Sequence, residues 1–106
     1  MQEIDSFVLS SWITSNKTSL VLIDVREVWE CQICLIDGSI NIPLGNFESS
    51  LDRLDVDSHI ICICHHGVRS LYACQLLKMN GFKYIYNLSK GIDEWACAID
   101  INMARY

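Results

Sequence analysis

Two apolar runs constrain this chain more than any other feature: Leu20-Val21-Leu22-Ile23, closing in Asp24-Val25, and Ile60-Ile61-Cys62-Ile63-Cys64. A strand with one wet face alternates apolar and polar residues, and these two do not. Both must therefore be covered on both faces, which is the condition of strands inside a parallel sheet. Parallel neighbours need crossover connections, usually helices. The rest of the chain supplies them. Strand-like segments at Glu3-Ile4-Asp5, Leu20 to Val25, Ile40-Asn41-Ile42, Ile60 to Cys64 and Phe82 to Leu88 interleave with helical patterns. Those helices are predicted over Phe7 to Ser15, Glu27 to Cys34, Phe47 to Leu54, Ser70 to Asn80 and Ile92 to Ala98. The expected fold is α/β, an open, mostly parallel five-stranded sheet with helices on both faces.

Local signals set the boundaries. Ser6 and Asn46 are candidate N-caps, Asn16-Lys17-Thr18-Ser19 reads as a loop, and Asp37-Gly38-Ser39 reads as a turn before Pro43 stops a short strand. Leu71, Cys74 and Leu77 form the inward stripe of the fourth helix, and Gly81 ends it as a C-cap glycine. Phe47, Leu51 and Leu54 share a face at spacings of four and three.

At 106 residues, 51% of them hydrophobic and 20% charged, the chain is expected to form one domain over residues 1–106 with one core, and disorder is excluded. A net charge of -5 offers no basic stripe, so neither nucleic acid nor an anionic membrane is an expected partner. Glu3 and Asp5 precede the apolar residues Phe7 to Ile13, which is unlike a signal peptide, and no apolar run approaches the roughly 20 residues of a membrane span. A soluble, cytoplasmic protein is the expectation. Six cysteines in that setting are expected to be reduced, with Cys62, Cys74 and Cys97 acting as small buried hydrophobes.

The chemistry concentrates at Cys64-His65-His66-Gly67-Val68-Arg69-Ser70. A cysteine at the carboxyl end of a strand, just before a helix near Ser70, faces backbone N–H groups that have no intrahelical partner. The helix dipole and Arg69 add positive charge, which favours thiolate over thiol and places Cys64 at the surface as a nucleophile. Gly67 is expected to take a positive φ so that the loop's N–H groups turn inward. Ser70 is read equally as a donor to the thiolate or as a helix cap, His65 and His66 as proton carriers, donor contacts or exposed loop residues without a role, and Arg69 as binding the donor's anionic group, fixing the loop through carbonyls and carboxylates, or both. Asp24 and Arg26 end a neighbouring strand, at the same sheet edge as Cys64. Asp24 is expected to support the loop, and Arg26 either to join it in an ion pair or to touch substrate.

The Cys64-to-Ser70 segment resembles the active-site loop of the rhodanese family of sulfurtransferases. Asp24-Val25-Arg26 after an apolar strand is similar to the family pattern, as are Gly38-Ser39-Ile40-Asn41-Ile42-Pro43 and Asn87-Leu88-Ser89-Lys90-Gly91-Ile92-Asp93-Glu94-Trp95. Leu35 stands where the family often has histidine, and Lys90 replaces the first of two usual glycines. The resemblance spans about Ile4 to Trp95. It implies a sulfurtransferase that moves a sulfane sulfur from thiosulfate or a thiol persulfide, through a Cys64 persulfide, to cyanide or a thiol. It implies substrate contacts from His65, His66, Gly67, Val68, Arg69, Ser70 and Arg26, loop support from Asp24, and no cofactor. A cation often stands at the position of His65 in members active on thiosulfate, so a persulfide on a small thiol or a partner protein is an alternative donor.

Loop length separates this chemistry from phosphate-ester hydrolysis. Four residues lie between Cys64 and Arg69. A cysteine phosphatase needs one more to surround a phosphate, whereas the tighter ring suits a single anionic sulfur. Cys31-Gln32-Ile33-Cys34 and Cys62-Ile63-Cys64-His65-His66 look metal-like by spacing. The first does not open a helix directly after a strand, and Cys62 points into the sheet, so no metal is expected. Cys31 as a resolving thiol for Cys64 is a separate reading. A different functional class, a protein-facing sulfur relay or a non-catalytic interaction module, is the alternative to the enzyme.

Overall fold

The computed structural model describes residues 1–15 and 19–106, so Asn16, Lys17 and Thr18 of the expected loop lie outside the described residues. Five strands, β1 (Gln2–Ile4), β2 (Leu20–Asp24), β3 (Ile40–Asn41), β4 (His59–Ile63) and β5 (Tyr84–Leu88), form one sheet in the order β1-β5-β4-β2-β3. Every pairing is parallel, as the unbroken apolar runs of β2 and β4 predict. The helices are α1 (Ser6–Ser15), α2 (Val28–Ile33), α3 (Leu44–Phe47), α4 (Val68–Met79) and α5 (Gly91–Ala98).

The pleat of β4 divides the core. Cys62 and Cys64 point to one face, where Phe47, Leu51, Ala73, Cys74 and Leu77 from α3, the following 3-10 turn and α4 cover them. Ile61 and Ile63 point to the other, against Leu9 of α1 and Ile92 and Trp95 of α5. Helices thus cover both faces, each buried isoleucine contributing about 1.5–3 kcal/mol of transfer free energy.

Several boundaries differ from the sequence reading, each for a local reason. Asp5, not Ser6, caps α1, because the Asp5 Oδ1 carboxylate accepts the Val8 N–H at 2.8 Å. The segment expected as one helix over Phe47 to Leu54 instead begins at Leu44, directly after Pro43, and becomes a 3-10 turn over Glu48–Arg53. Proline suits that entry because it presets φ. Asn46 is therefore no cap; its carbonyl accepts the Ser49 and Ser50 hydroxyls. Ser70 is not a cap either, since α4 begins two residues earlier with Gly67 before it. Cys97, expected inside, is exposed on α5, whereas Cys62 and Cys74 are fully buried. Gly81 follows α4 with φ +82°, and the Phe82 N–H reaches back to the Leu77 carbonyl, as a C-cap glycine predicts.

Candidate active site

The carboxyl ends of β2, β4 and β5 converge on Cys64, the first residue beyond β4. Gly67 has φ +94°, a backbone shape that turns the chain sharply into α4. A Cβ on Gly67 would collide with the Ser89 carbonyl, so the close approach of the β5–α5 connection also demands glycine. The turn aims two backbone donors at the sulfur: Gly67 N–H at 3.1 Å and Ser70 N–H at 3.3 Å. The Ser70 hydroxyl lies 3.2 Å from Cys64 Sγ. With the start of a twelve-residue helix beside it, this is a cradle for negative charge on sulfur.

Cys64 is 1% exposed, not open at the surface as its polar neighbours suggested. The loop folds over it. Behind the loop, the Cys64 and His65 carbonyls accept the Ile92 and Asp93 N–H groups of α5 at 2.9 and 3.2 Å. Those two donors belong to the first turn of α5, so one helix end fixes the backbone that another helix start folds around.

Of the two roles the sequence allows Arg26, the structure shows the ion pair. Its side chain is 0% exposed, so it does not line a substrate path. It forms a buried ion pair with Asp24 at 2.7 Å and donates to the Cys34 carbonyl at 2.7 Å and the Tyr106 hydroxyl at 2.9 Å. A guanidinium has enough donors to join β2, the end of α2 and residue 106 at once. Asp24 holds that hub in place and accepts the Arg26 backbone N–H at 3.1 Å.

Arg69 fixes the loop through a carboxylate, one of the two roles the sequence allows it. It makes a bidentate pair with Glu30 of α2, Nη1 to Oε2 at 2.7 Å and Nη2 to Oε1 at 2.8 Å. Glu30 also accepts the Glu27 N–H, completing a capping box, and the Tyr106 hydroxyl. The Arg69 bonds hold the Glu30 carboxyl far below its usual range, at about 2, despite burial, which acts the other way. A carboxyl whose folded value is depressed stabilises the fold above its unfolded value near 4.5, and that contribution is lost as pH falls toward about 2. Acid unfolding followed by circular dichroism should therefore steepen between about pH 4.5 and 2, and Glu30→Gln should flatten that segment while lowering stability at pH 7.

Around the rim, His65 lies between two rings. It stacks on Tyr106 at a centroid distance of 4.0 Å and 9°, and meets His66 at 4.0 Å and 31°. Burial, and then the neighbouring His66, lower the His65 pKa. Val68 and His66 are exposed, and Trp29 approaches Tyr106 edge-on at 6.1 Å. Cys31 is an unpromising thiolate, pushed up to about 11 by burial and then by Asp24. Among the described residues, no group of three or more His, Cys, Asp or Glu side chains could hold a metal ion, and no helix is long and apolar enough to cross a membrane.

The loop residues Cys64 to Ser70 thus come together, while Arg26 stands behind them. Sequence reasoning missed three contributors: Glu30, Tyr106 and Asn87. Asn87 is 1% exposed on β5, and its Oδ1 accepts the Ser70 hydroxyl at 2.5 Å. A polar residue inside an apolar strand was the available signal for Asn87, and the Glu27-x-x-Glu30 capping box was the signal for Glu30.

The sheet order and loop define a parallel α/β domain built around one cysteine toward which two backbone N–H groups point. The chain belongs to the rhodanese-like domain family, whose model matches residues 9–98. Among curated proteins it is 33% identical over 95 residues to the putative sulfurtransferase YtwF of Bacillus subtilis, covering 90% of each chain. It is 39% identical over 77 residues to the putative sulfur carrier protein YrkF of the same organism, covering 73% of this chain but 42% of YrkF. The crystal structure of a rhodanese-related protein from Thermoplasma volcanium superposes with a TM-score of 0.80 at 30% identity, over 90% of each chain. Sulfur transfer is the function that such relatives' names carry.

Proposed function

We propose that Cys64 is the nucleophile of a sulfurtransferase and carries sulfur as a persulfide. The observation that carries this reading is the pair of backbone N–H groups, of Gly67 and Ser70, directed at Cys64 Sγ. The Cys64 thiolate attacks the outer sulfur of the donor. A new S–S bond forms to Cys64, and the donor's S–S bond breaks, releasing sulfite from thiosulfate or a thiolate from a persulfide. The negative charge moves to the outer sulfur, within the ring of loop donors. An acceptor thiolate or cyanide then attacks that outer sulfur and returns Cys64 as thiolate. Electrons balance without any cofactor.

Mass spectrometry after incubation with thiosulfate or glutathione persulfide tests this. One added sulfur on the Cys64 peptide, removed by cyanide, is the expected result; no gain with either donor overturns the proposal.

Donor choice follows from charge. Glu30 matches the charge of Arg69, and His65 is held toward its neutral form. The loop therefore presents little net positive charge to dianionic thiosulfate, and a thiol persulfide is the better donor. His65→Lys is expected to raise kcat/KM on thiosulfate by about tenfold, with a smaller change on glutathione persulfide. Equal changes on both would contradict this account. Loop support by Asp24 through Arg26, rather than substrate contact, completes the assignment.

A protein-borne donor or acceptor is the second reading, favoured by the exposed apolar rim: Val68 is 76% exposed and Trp29 59%. Slow turnover of small thiols with fast sulfur exchange to a protein persulfide would distinguish it.

A further inference from the structure

Ser70 has one hydroxyl proton and two acceptors. Its Oγ is 2.5 Å from Asn87 Oδ1 and 3.2 Å from Cys64 Sγ. We infer that Asn87 is a positioning residue that holds the Ser70 proton away from Cys64, leaving the thiolate with backbone donors alone. This rests on the reading of Cys64 as the sulfur-carrying nucleophile.

The amide of Asn87 has only one workable orientation. Its Nδ2 donates to the Gly67 carbonyl at 3.1 Å and to the Glu3 carboxylate at 2.9 and 3.1 Å. Acceptors on that side force the carbonyl oxygen toward Ser70. Asn87 is buried, so leaving Oδ1 without a donor costs free energy. In the thiol form the chain runs in one direction: Cys64 S–H to Ser70, Ser70 O–H to Asn87. When the proton leaves sulfur, rotation of the Ser70 hydroxyl toward Sγ would strand Asn87 Oδ1. The proton stays on Ser70 Oγ, directed at Asn87 Oδ1.

The consequence is kinetic. A thiolate with a third donor is more stable but less nucleophilic, because nucleophilicity falls as basicity falls. Once Cys64 carries a second sulfur, charge shifts outward and Sγ needs no such donor. Asn87 thereby keeps the attacking sulfur reactive without disturbing the persulfide.

The test is the pH profile of iodoacetamide alkylation, read on the Cys64 peptide by mass spectrometry because the chain has six free cysteines. Asn87→Leu frees the Ser70 proton. The profile should move to lower pH by roughly one unit, the worth of one hydrogen bond to a charged group, and the high-pH plateau should slow by about threefold. In a Ser70→Ala background the same substitution should produce neither change. The other ionisable groups around the loop, Glu3 on β1, Glu30 on α2, Cys62 on β4, Arg69 on α4, Asp93 on α5, Tyr106 and the two histidines, are unaltered across this cycle. Equal shifts with and without Ser70, or a shift to higher pH, would overturn the inference. If Asn87→Leu fails to fold by circular dichroism, Glu3→Ala at an exposed position carries the same comparison. A smaller shift to lower pH that requires Ser70 supports the inference, and no Ser70-dependent shift overturns it. Alkylation needs no sulfur donor, so a failure here is distinct from a failure to form the persulfide.

Discussion

Replacing Cys64 with serine is expected to reduce sulfur transfer to cyanide or a thiol by at least about 10³-fold, because the proposed reaction loses its nucleophile and not merely a contact. A serine hydroxyl fits the same space and keeps both backbone donors, so the fold is retained. It cannot carry sulfur between two half-reactions. The measurement is steady-state turnover beside a thermal melt: lost turnover with an unchanged melting temperature is the expected pair. Retained turnover would place the chemistry at another thiol, with Cys31 and Cys97 the incompletely buried alternatives.

Gly91→Ala is expected to be the most damaging single-methyl addition in the chain. Gly91 has φ +65°, and a Cβ there would collide with the His65 carbonyl while lying 2.6 Å from the Cys64 carbonyl oxygen. All of these neighbours are backbone, so no side chain can swing aside. Strain from the left-handed φ alone costs about 1–3 kcal/mol, and the clash adds to it. A total of about 3 kcal/mol or more corresponds to a fall in melting temperature beyond roughly 10 °C for a chain of this size. Sulfur transfer should fall as well below the melt, because the Ile92 and Asp93 N–H bonds to the loop carbonyls are the contacts the methyl displaces. Gly45→Ala is the control. Nothing lies within 4 Å of a Cβ there and its φ is ordinary, so a change within about 0.5 kcal/mol is expected.

Legibility in the sequence followed distance along the chain. The loop from Cys64 to Ser70 was readable because strand end, turn and helix start are contiguous, and a strand-to-helix turn sets its own backbone geometry. The parallel sheet was readable from β2 and β4, whose apolar runs allow no wet face. For Arg26 the sequence left two roles open, an ion pair and substrate contact, and the pair with Asp24 two residues earlier is the one that permits its burial. The Glu30–Arg69 pair joins residues 39 apart, and Tyr106 reaches Arg26 across 80. No local pattern reports such meetings. The exposure of Cys64 was misread for a different reason: its polar neighbours suggest an open surface, but the same loop turns back so that Gly67 and Ser70 close over the sulfur.

The Glu3–Asn87 bond has a bearing on how the site comes into being. It links residues 84 apart, and the Ser6 N–H to Glu94 bond spans 88. Pairing β1 beside β5 therefore closes the longest loop in the sheet, the kind of event that slows folding in chains rich in distant contacts. During synthesis, the cysteine at position 64 leaves the ribosome before the asparagine and glycine that surround it. The Gly67 and Ser70 N–H groups lie within six residues of Cys64 and can take their places with the local turn, whereas the Glu3–Asn87 bond behind Ser70 waits until β1 has paired with β5.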